Sequence, residues 1–383
     1  MIRRVVAGSR WPAPPPAIVD LSAIPMTGTA APEYAPFDDA VLALLRDEGI
    51  PGAALAVARQ GRLVLSRGYG VVERGTRQPV DPGTRFRIAS VAKPITAVAA
   101  LALIDDRRDP GLLDAPLIPA LGIEPWLPGS RKRDPRLDRV TLRMVLRHRG
   151  GWDRAKSFDP MFRSDRASEE MGVAAPISAR DMARWGLGFP LDFDPGSRFA
   201  YSNFGYCLIG RWIEAVSGRS YERFVRERVL GPLGLGGMEI GREGKAGRLP
   251  GETAYHMPAN DPRPDAPYVS IHPKPFDSHG GWVASAPELV RFADGWDQPA
   301  AGVVSKAAVG WALERPAVSL TREKDGSPAK AWQGFGWMVR PTGGGANLWH
   351  EGTMAGTSAL VVRLASGTTW ALLLNQRTEV DVD

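Results

Sequence analysis

The 383-residue chain is long enough for one large domain or two interleaved ones, and 44% hydrophobic with 23% charged residues excludes a chain disordered throughout. Its formal charge of +6 comes mostly from arginine, and the densest basic run, 131–139, is broken by Asp134 and Asp138 and holds no aromatic residue, which argues against a nucleic-acid groove. No apolar run reaches the roughly 18 residues that cross a bilayer, and the single cysteine, Cys207, in an apolar run, reads as packing rather than redox chemistry.

Residues 1–36 are Pro-rich with little periodicity and read as a surface arm; Arg3 and Arg4 are followed by too short an apolar stretch for a signal peptide, so the sequence gives no sign of export. Asp38 or Asp39 is the expected N-cap of a helix through Ala40, Leu42, Leu44 and Leu45, ended by Gly49 and Pro51. Two alternating runs around Gln60 and Gly61 predict an antiparallel hairpin from Ala53 onward. Residues 111–282 are rich in loops, with helices expected over 141–148, 178–187, 203–217 and 221–230; these make a mostly helical insertion. After Pro287 come helices through 289–292 and 307–313, then strand patterns at 334–340, 347–350, 358–364 and 369–375. Residues 37–110 and 283–383 then form an α+β part with one antiparallel sheet of about five strands flanked by helices, and a candidate site lies between it and the insertion.

The chemistry-bearing residues begin with Ser90 and Lys93, three apart at the start of the apolar stretch RIASVAKPITAVAALALID. On a helix that spacing stacks an amine on the face of a hydroxyl, and a helix N-terminus favours an oxyanion and a neutral amine over an ammonium. A second Ser-x-x-Lys, Ser327 and Lys330, lies in a polar loop with no apolar helix after it and reads as bland. Tyr201 and Asn203 flank Ser202 where another apolar helix opens, and a tyrosine beside a cation can pass a proton to a leaving group; the bland alternative is a core tyrosine and an asparagine N-cap. His350, Glu351, Gly352 and Thr353 lie where a late strand meets a glycine. There the Thr353 N–H, paired with the Ser90 N–H, would complete an oxyanion hole, whereas the alternative for His350 is a structural histidine.

In this order, Ser-x-x-Lys, Tyr-Ser-Asn and His-Glu-Gly resemble the serine β-lactamase and penicillin-binding protein superfamily, in its class C β-lactamase-related branch of esterases, DD-peptidases and D-aminopeptidases. The passages 146–153 (LRHRGGWD) and 279–295 resemble the same branch, so that the similarity runs from about residue 37 to 375. The resemblance implies a β-lactamase/transpeptidase-like fold with Ser90 as acylated nucleophile, Lys93 as proton acceptor and Tyr201 as proton shuttle. Asn203 would steady Lys93 and bind substrate, with Gly352 and Thr353 beside it, and His350 would stand where true β-lactamases carry a lysine. It implies no cofactor and no metal, and as partner a small ester, amide or β-lactam. Esterase work on short-chain or aryl esters is favoured over D-amino-acid peptidase or weak β-lactamase action. Two departures stand out: Glu351, where a small or hydroxylated residue is usual, and a chain that stops at Asp383 soon after its last strand, where relatives add a helix. Relatives are often exported.

Other classes are weaker. No Gly-x-Ser-x-Gly occurs, which argues against an α/β-hydrolase. His272, Asp277 and His279 make a possible metal set, although Pro273 and Pro275 between them suggest a rigid loop. A catalytically silent binding protein would keep the fold without needing every reactive side chain. Oligomeric state has no sequence signal.

Overall fold

The computed structural model describes residues 24–29, 32–316 and 329–378. The main sheet is built from β1 (Met26–Thr27), β2 (Gly52–Arg59), β3 (Arg62–Gly70), β7 (Trp332–Gln333), β8 (Met338–Thr342), β9 (Gly345–Met354), β10 (Thr357–Arg363) and β11 (Thr368–Leu374), while β4 (Phe86–Arg87), β5 (Glu239–Ile240) and β6 (Trp282–Ala284) form a smaller one. The strand order is β1-β3-β2-β11-β10-β9-β8-β7, antiparallel at every pairing. Eight strands thus replace the expected five or so. The additions include β1 and β7, two-residue edge strands too short to leave a period in the sequence. The β2–β3 hairpin turns at Gln60 and Gly61, both at positive φ, the backbone twist that a two-residue hairpin loop demands.

Side chains of β2 alternate between two cores. Ala53, Leu55 and Val57 face α1 (Ala35–Glu48) with Val41 and Leu45, while Ala54, Ala56 and Ala58 face the larger core around α2 (Ala92–Arg107). Helix α1 begins earlier than the Asp38 cap implied. Its N-cap is Tyr34, with Pro36 in the first turn, and Asp38 instead accepts a 2.6 Å hydrogen bond from the Tyr69 hydroxyl on β3. It ends at Gly49 in the left-handed conformation, as the glycine implied.

The stretch from 111 to 282 carries helices at Leu142–Leu146, Ser164–Met171, Ala179–Leu187, Asn203–Ser217 and Tyr221–Val225; the last continues as a π turn to Leu230. Its apolar side chains join those of α2 and one sheet face in a continuous core. Every residue of α2 from Ala92 to Ile104 is buried, so the first turn of this helix is gripped on all sides. The small sheet pairs Phe86 and Arg87, just before Ser90, with Ala284 and Val283. That pairing draws residues 278–284 alongside the start of α2, where Thr96 Oγ1 donates to the Ser278 carbonyl at 2.6 Å. Among the described residues, no helix is long and apolar enough to cross a membrane.

Candidate active site

Ser90 does not open α2 itself. It occupies a 3₁₀ turn, Ala89–Val91, that feeds the helix, and the i,i+3 spacing to Lys93 survives across the junction. Ala89, directly before Ser90, holds φ at +47°, a left-handed conformation costly for any residue with a Cβ. Ser90 is half-buried, whereas Lys93 is wholly enclosed. The amine Nζ lies 2.8 Å from Ser90 Oγ, 2.8 Å from Asn203 Oδ1 and 3.0 Å from the His279 carbonyl oxygen. The Tyr201 hydroxyl donates to Ser90 Oγ at 2.7 Å. Residues from three distant parts of the chain therefore meet around one hydroxyl and its neighbouring amine.

The helix Asn203–Ser217 and the residues just before it supply two of them. Its N-cap is Ser202, whose Oγ accepts from the Gly205 N–H at 3.0 Å, so Asn203 is freed from the capping role that the sequence left open to it. The Asn203 Nδ2 donates to Asp159 Oδ2 at 2.7 Å, and the other Asp159 oxygen accepts from the Met161 N–H at 3.1 Å. Tyr201 is stacked on the His148 ring, with centroids 4.4 Å apart, and His148 Nδ1 accepts from the Ser202 N–H at 3.1 Å. The exposed Arg154 guanidinium stands 5.1 Å from the Tyr201 centroid.

Strand β9 closes the site from the other side, continuing well past the expected end at His350. At Gly352 an added Cβ would stand 2.3 Å from the Ile88 carbonyl oxygen and 3.0 Å from the Ser90 nitrogen, so only glycine lets the strand lie this close to the serine turn. Thr353 and Glu351 are exposed, and His350 is buried. Among the described hydrogen bonds none joins His350 to Ser90, Lys93 or Tyr201; its Nδ1 contacts the Glu351 carbonyl at 2.6 Å.

Burial sets the charges. Loss of water pushes the Lys93 pKa well below its ordinary value, with Arg154 pushing the same way and Asp159 opposing. His350 falls to about 3, first through burial and then through Lys93, and burial lowers His148 and His279 too, so all three imidazoles are neutral at physiological pH. Burial raises the Tyr201 phenol, which keeps its proton. Burial also raises the Asp159 carboxyl, against the opposing pull of its Asn203 and Met161 donors. A neutral amine has two N–H groups and one lone pair. Asn203 Oδ1 and the His279 carbonyl can only accept, so in the neutral form they take both N–H groups and the lone pair faces the Ser90 hydroxyl, whereas the charged form donates to all three oxygens.

The remaining sequence candidates disperse. His272 pairs with Glu243 and Asp277 with Arg211, while His279 reaches the site through its backbone. Ser327 lies outside the described residues. Sequence reasoning missed Asp159, Arg154, the backbone strain at Ala89 and the stacking role of His148. Only His148 carried a signal, in the LRHRGGWD passage.

The model of the Beta-lactamase family matches residues 37–383. Penicillin-binding protein 4 of Amycolatopsis lactamdurans is 29% identical over 354 residues, 90% of this chain and 85% of that protein. Esterase EstB of Burkholderia gladioli is 31% identical over 198 residues, which cover 50% of this chain and 47% of the esterase. The structure of EstCE1, a hydrolase with promiscuous acyltransferase activity, superposes with a TM-score of 0.68 at 21% identity, covering 91% of this chain and 95% of that one, a likeness of fold.

Proposed function

The chain belongs to the Beta-lactamase family of serine hydrolases, and from that premise we propose that it is a carboxylesterase that works through an acyl-enzyme on Ser90, with short-chain or aryl esters as substrates. The observation that carries the reading is the half-buried Ser90 hydroxyl, 2.8 Å from an enclosed amine and 2.7 Å from a phenol. In the proposed reaction the Ser90 proton moves to the Lys93 lone pair as Oγ attacks the ester carbonyl carbon. The carbonyl oxygen, now negative, rests between the N–H groups of Ser90 and Thr353, a contribution of about 10²–10³ in rate per donor. Collapse of the tetrahedral centre breaks the bond to the alcohol oxygen. That oxygen takes the Tyr201 proton, and the phenol recovers one from the Lys93 ammonium. Water repeats the sequence on the acyl-enzyme, giving a carboxylic acid and free Ser90.

The preference for esters rests on charge. His350 stands where β-lactamases are expected to carry a lysine, and with a pKa of about 3 it offers no fixed cation to a substrate carboxylate. Turnover of p-nitrophenyl acetate by purified protein tests the reading: Ser90→Ala abolishes it if Ser90 is the nucleophile and leaves it unchanged if not. Trapping with a fluorescent penicillin in place of ester turnover would favour peptidase or β-lactamase work at the same residues.

A further inference from the structure

Asp159 lies outside every motif of the sequence, in the segment before a short 3₁₀ turn at Pro160–Phe162. Both its oxygens are engaged: Oδ1 accepts from the Met161 N–H at 3.1 Å and Oδ2 accepts from Asn203 Nδ2 at 2.7 Å. With both oxygens accepting, Asp159 fixes which end of the Asn203 amide points at it. The Nδ2 end faces Asp159, and the Oδ1 end therefore faces Lys93 at 2.8 Å. Turned over, Asn203 would present N–H groups to Lys93, compete with the Ser90 hydroxyl for the lone pair, and leave the amine with a donor where it needs an acceptor.

We propose that Asp159 is a positioning residue for the reaction: by locking the orientation of the Asn203 amide, it directs the Lys93 lone pair at Ser90. The proposal rests on the Ser90 hydrolase reading and adds to it the reason that the base points the right way. Asp159 acts through Asn203 and need not touch substrate. The other ionisable groups facing Lys93 are Arg154, exposed over the Tyr201 ring, the Tyr201 phenol, the Tyr206 ring, and the imidazoles of His148, His279 and His350, neutral by burial. Among the described hydrogen bonds none of these reaches the Asn203 amide, so Asp159 is the group that sets it.

The geometry makes an unusual ordering of variants the test. In Asp159→Asn, the new amide has one acceptor. If that oxygen keeps the Met161 cap, its NH₂ faces Asn203 and turns the Asn203 amide over. Asp159→Ala removes the acceptor without adding a donor and leaves Asn203 free to choose. The expected result with p-nitrophenyl acetate is a fall in kcat of about 10²-fold for Asp159→Asn, within the range of a lost general base, with KM nearly unchanged, and a smaller fall for Asp159→Ala. The double variant Asp159→Asn/Asn203→Asp exchanges the pair. The amide introduced at position 159 donates to the carboxylate introduced at position 203, whose second oxygen again offers Lys93 an acceptor, so kcat recovers at least part of the loss. The acid limb of kcat/KM moves to higher pH, because the carboxylate now touches Lys93 and favours its ammonium. A merely structural Asp159 makes Asp159→Ala at least as damaging as Asp159→Asn and gives no recovery in the exchanged pair, and either result overturns the proposal. Turnover that persists in Ser90→Ala would instead overturn the hydrolase reading beneath it, and full activity in Asp159→Asn with none in Ser90→Ala would overturn the positioning role alone.

Discussion

Gly352 on β9 and Ile88 before the serine turn touch backbone to backbone: a Cβ on Gly352 would stand 2.3 Å from the Ile88 carbonyl oxygen. This contact sets the distance between the last strands of the sheet and the start of α2, and with it the gap in which a carbonyl substrate would sit. Gly352→Ala must push β9 away from Ser90. The expected outcome is a loss of about 1–3 kcal/mol in stability, as for other overpacked sites, together with a drop of at least tenfold in esterase kcat/KM, on the scale of one mispositioned oxyanion donor. Urea denaturation and steady-state kinetics on the same preparation check both.

Ala89 holds φ at +47°. Ala89→Gly relieves the backbone cost of about 1–2 kcal/mol that a Cβ meets there, so it should raise the thermal midpoint or leave it unchanged. Ala89→Val adds a β-branched side chain at a buried left-handed position and should lower both the midpoint and the rate. Differential scanning calorimetry of the three proteins separates these outcomes.

Lys93 is buried with its pKa held well below the ordinary value of 10.5, mainly by loss of water. Between the folded and unfolded values the unfolded chain holds one more proton than the folded protein, so stability rises with pH through that window, by up to about 1.4 kcal/mol per pH unit for this one group. Above the unfolded value the slope vanishes. Lys93→Met removes the contribution. The difference in unfolding free energy, wild type minus variant, should therefore grow more favourable to wild type as pH rises toward the unfolded lysine value, while the variant has no esterase activity. A difference independent of pH would mean that Lys93 is charged in the folded protein.

His350 has a pKa of about 3 and stays neutral across the working range. In the proposed mechanism the acid limb of kcat/KM belongs to the amine, which must lose its proton before Ser90 can attack, so the rate is expected to rise with pH. His350→Gln should lower the rate without shifting that limb. A limb that disappears in His350→Gln would assign the titration to the imidazole.

Much of this arrangement was legible in the sequence. The helix expected over 203–217 is observed over the same residues, capped by Ser202 rather than Asn203 and ended by Gly218 in the left-handed conformation. The motif order Ser-x-x-Lys, Tyr-Ser-Asn, His-Glu-Gly pointed to side chains of which Ser90, Lys93, Tyr201 and Asn203 share one hydrogen-bonded cluster. Other features left no trace. Alanine carries no signature of a positive φ, so the strain at residue 89 is invisible until the backbone is traced. Asp159 precedes Pro160 and looks like any cap of a short turn; its second oxygen finds Asn203 only because residues 44 apart in the chain are folded together. The His279 contribution is a backbone carbonyl, to which side-chain motifs are blind.

The most direct measurement is the mass of the protein itself during turnover. Purified enzyme mixed with p-nitrophenyl acetate and acid-quenched within milliseconds should gain one acetyl group, mapped by peptide fragmentation to Ser90, and Ser90→Ala should gain none. An acetyl group on another residue, or ester turnover with no adduct at any quench time and undiminished in Ser90→Ala, would contradict the assignment of Ser90 as the nucleophile.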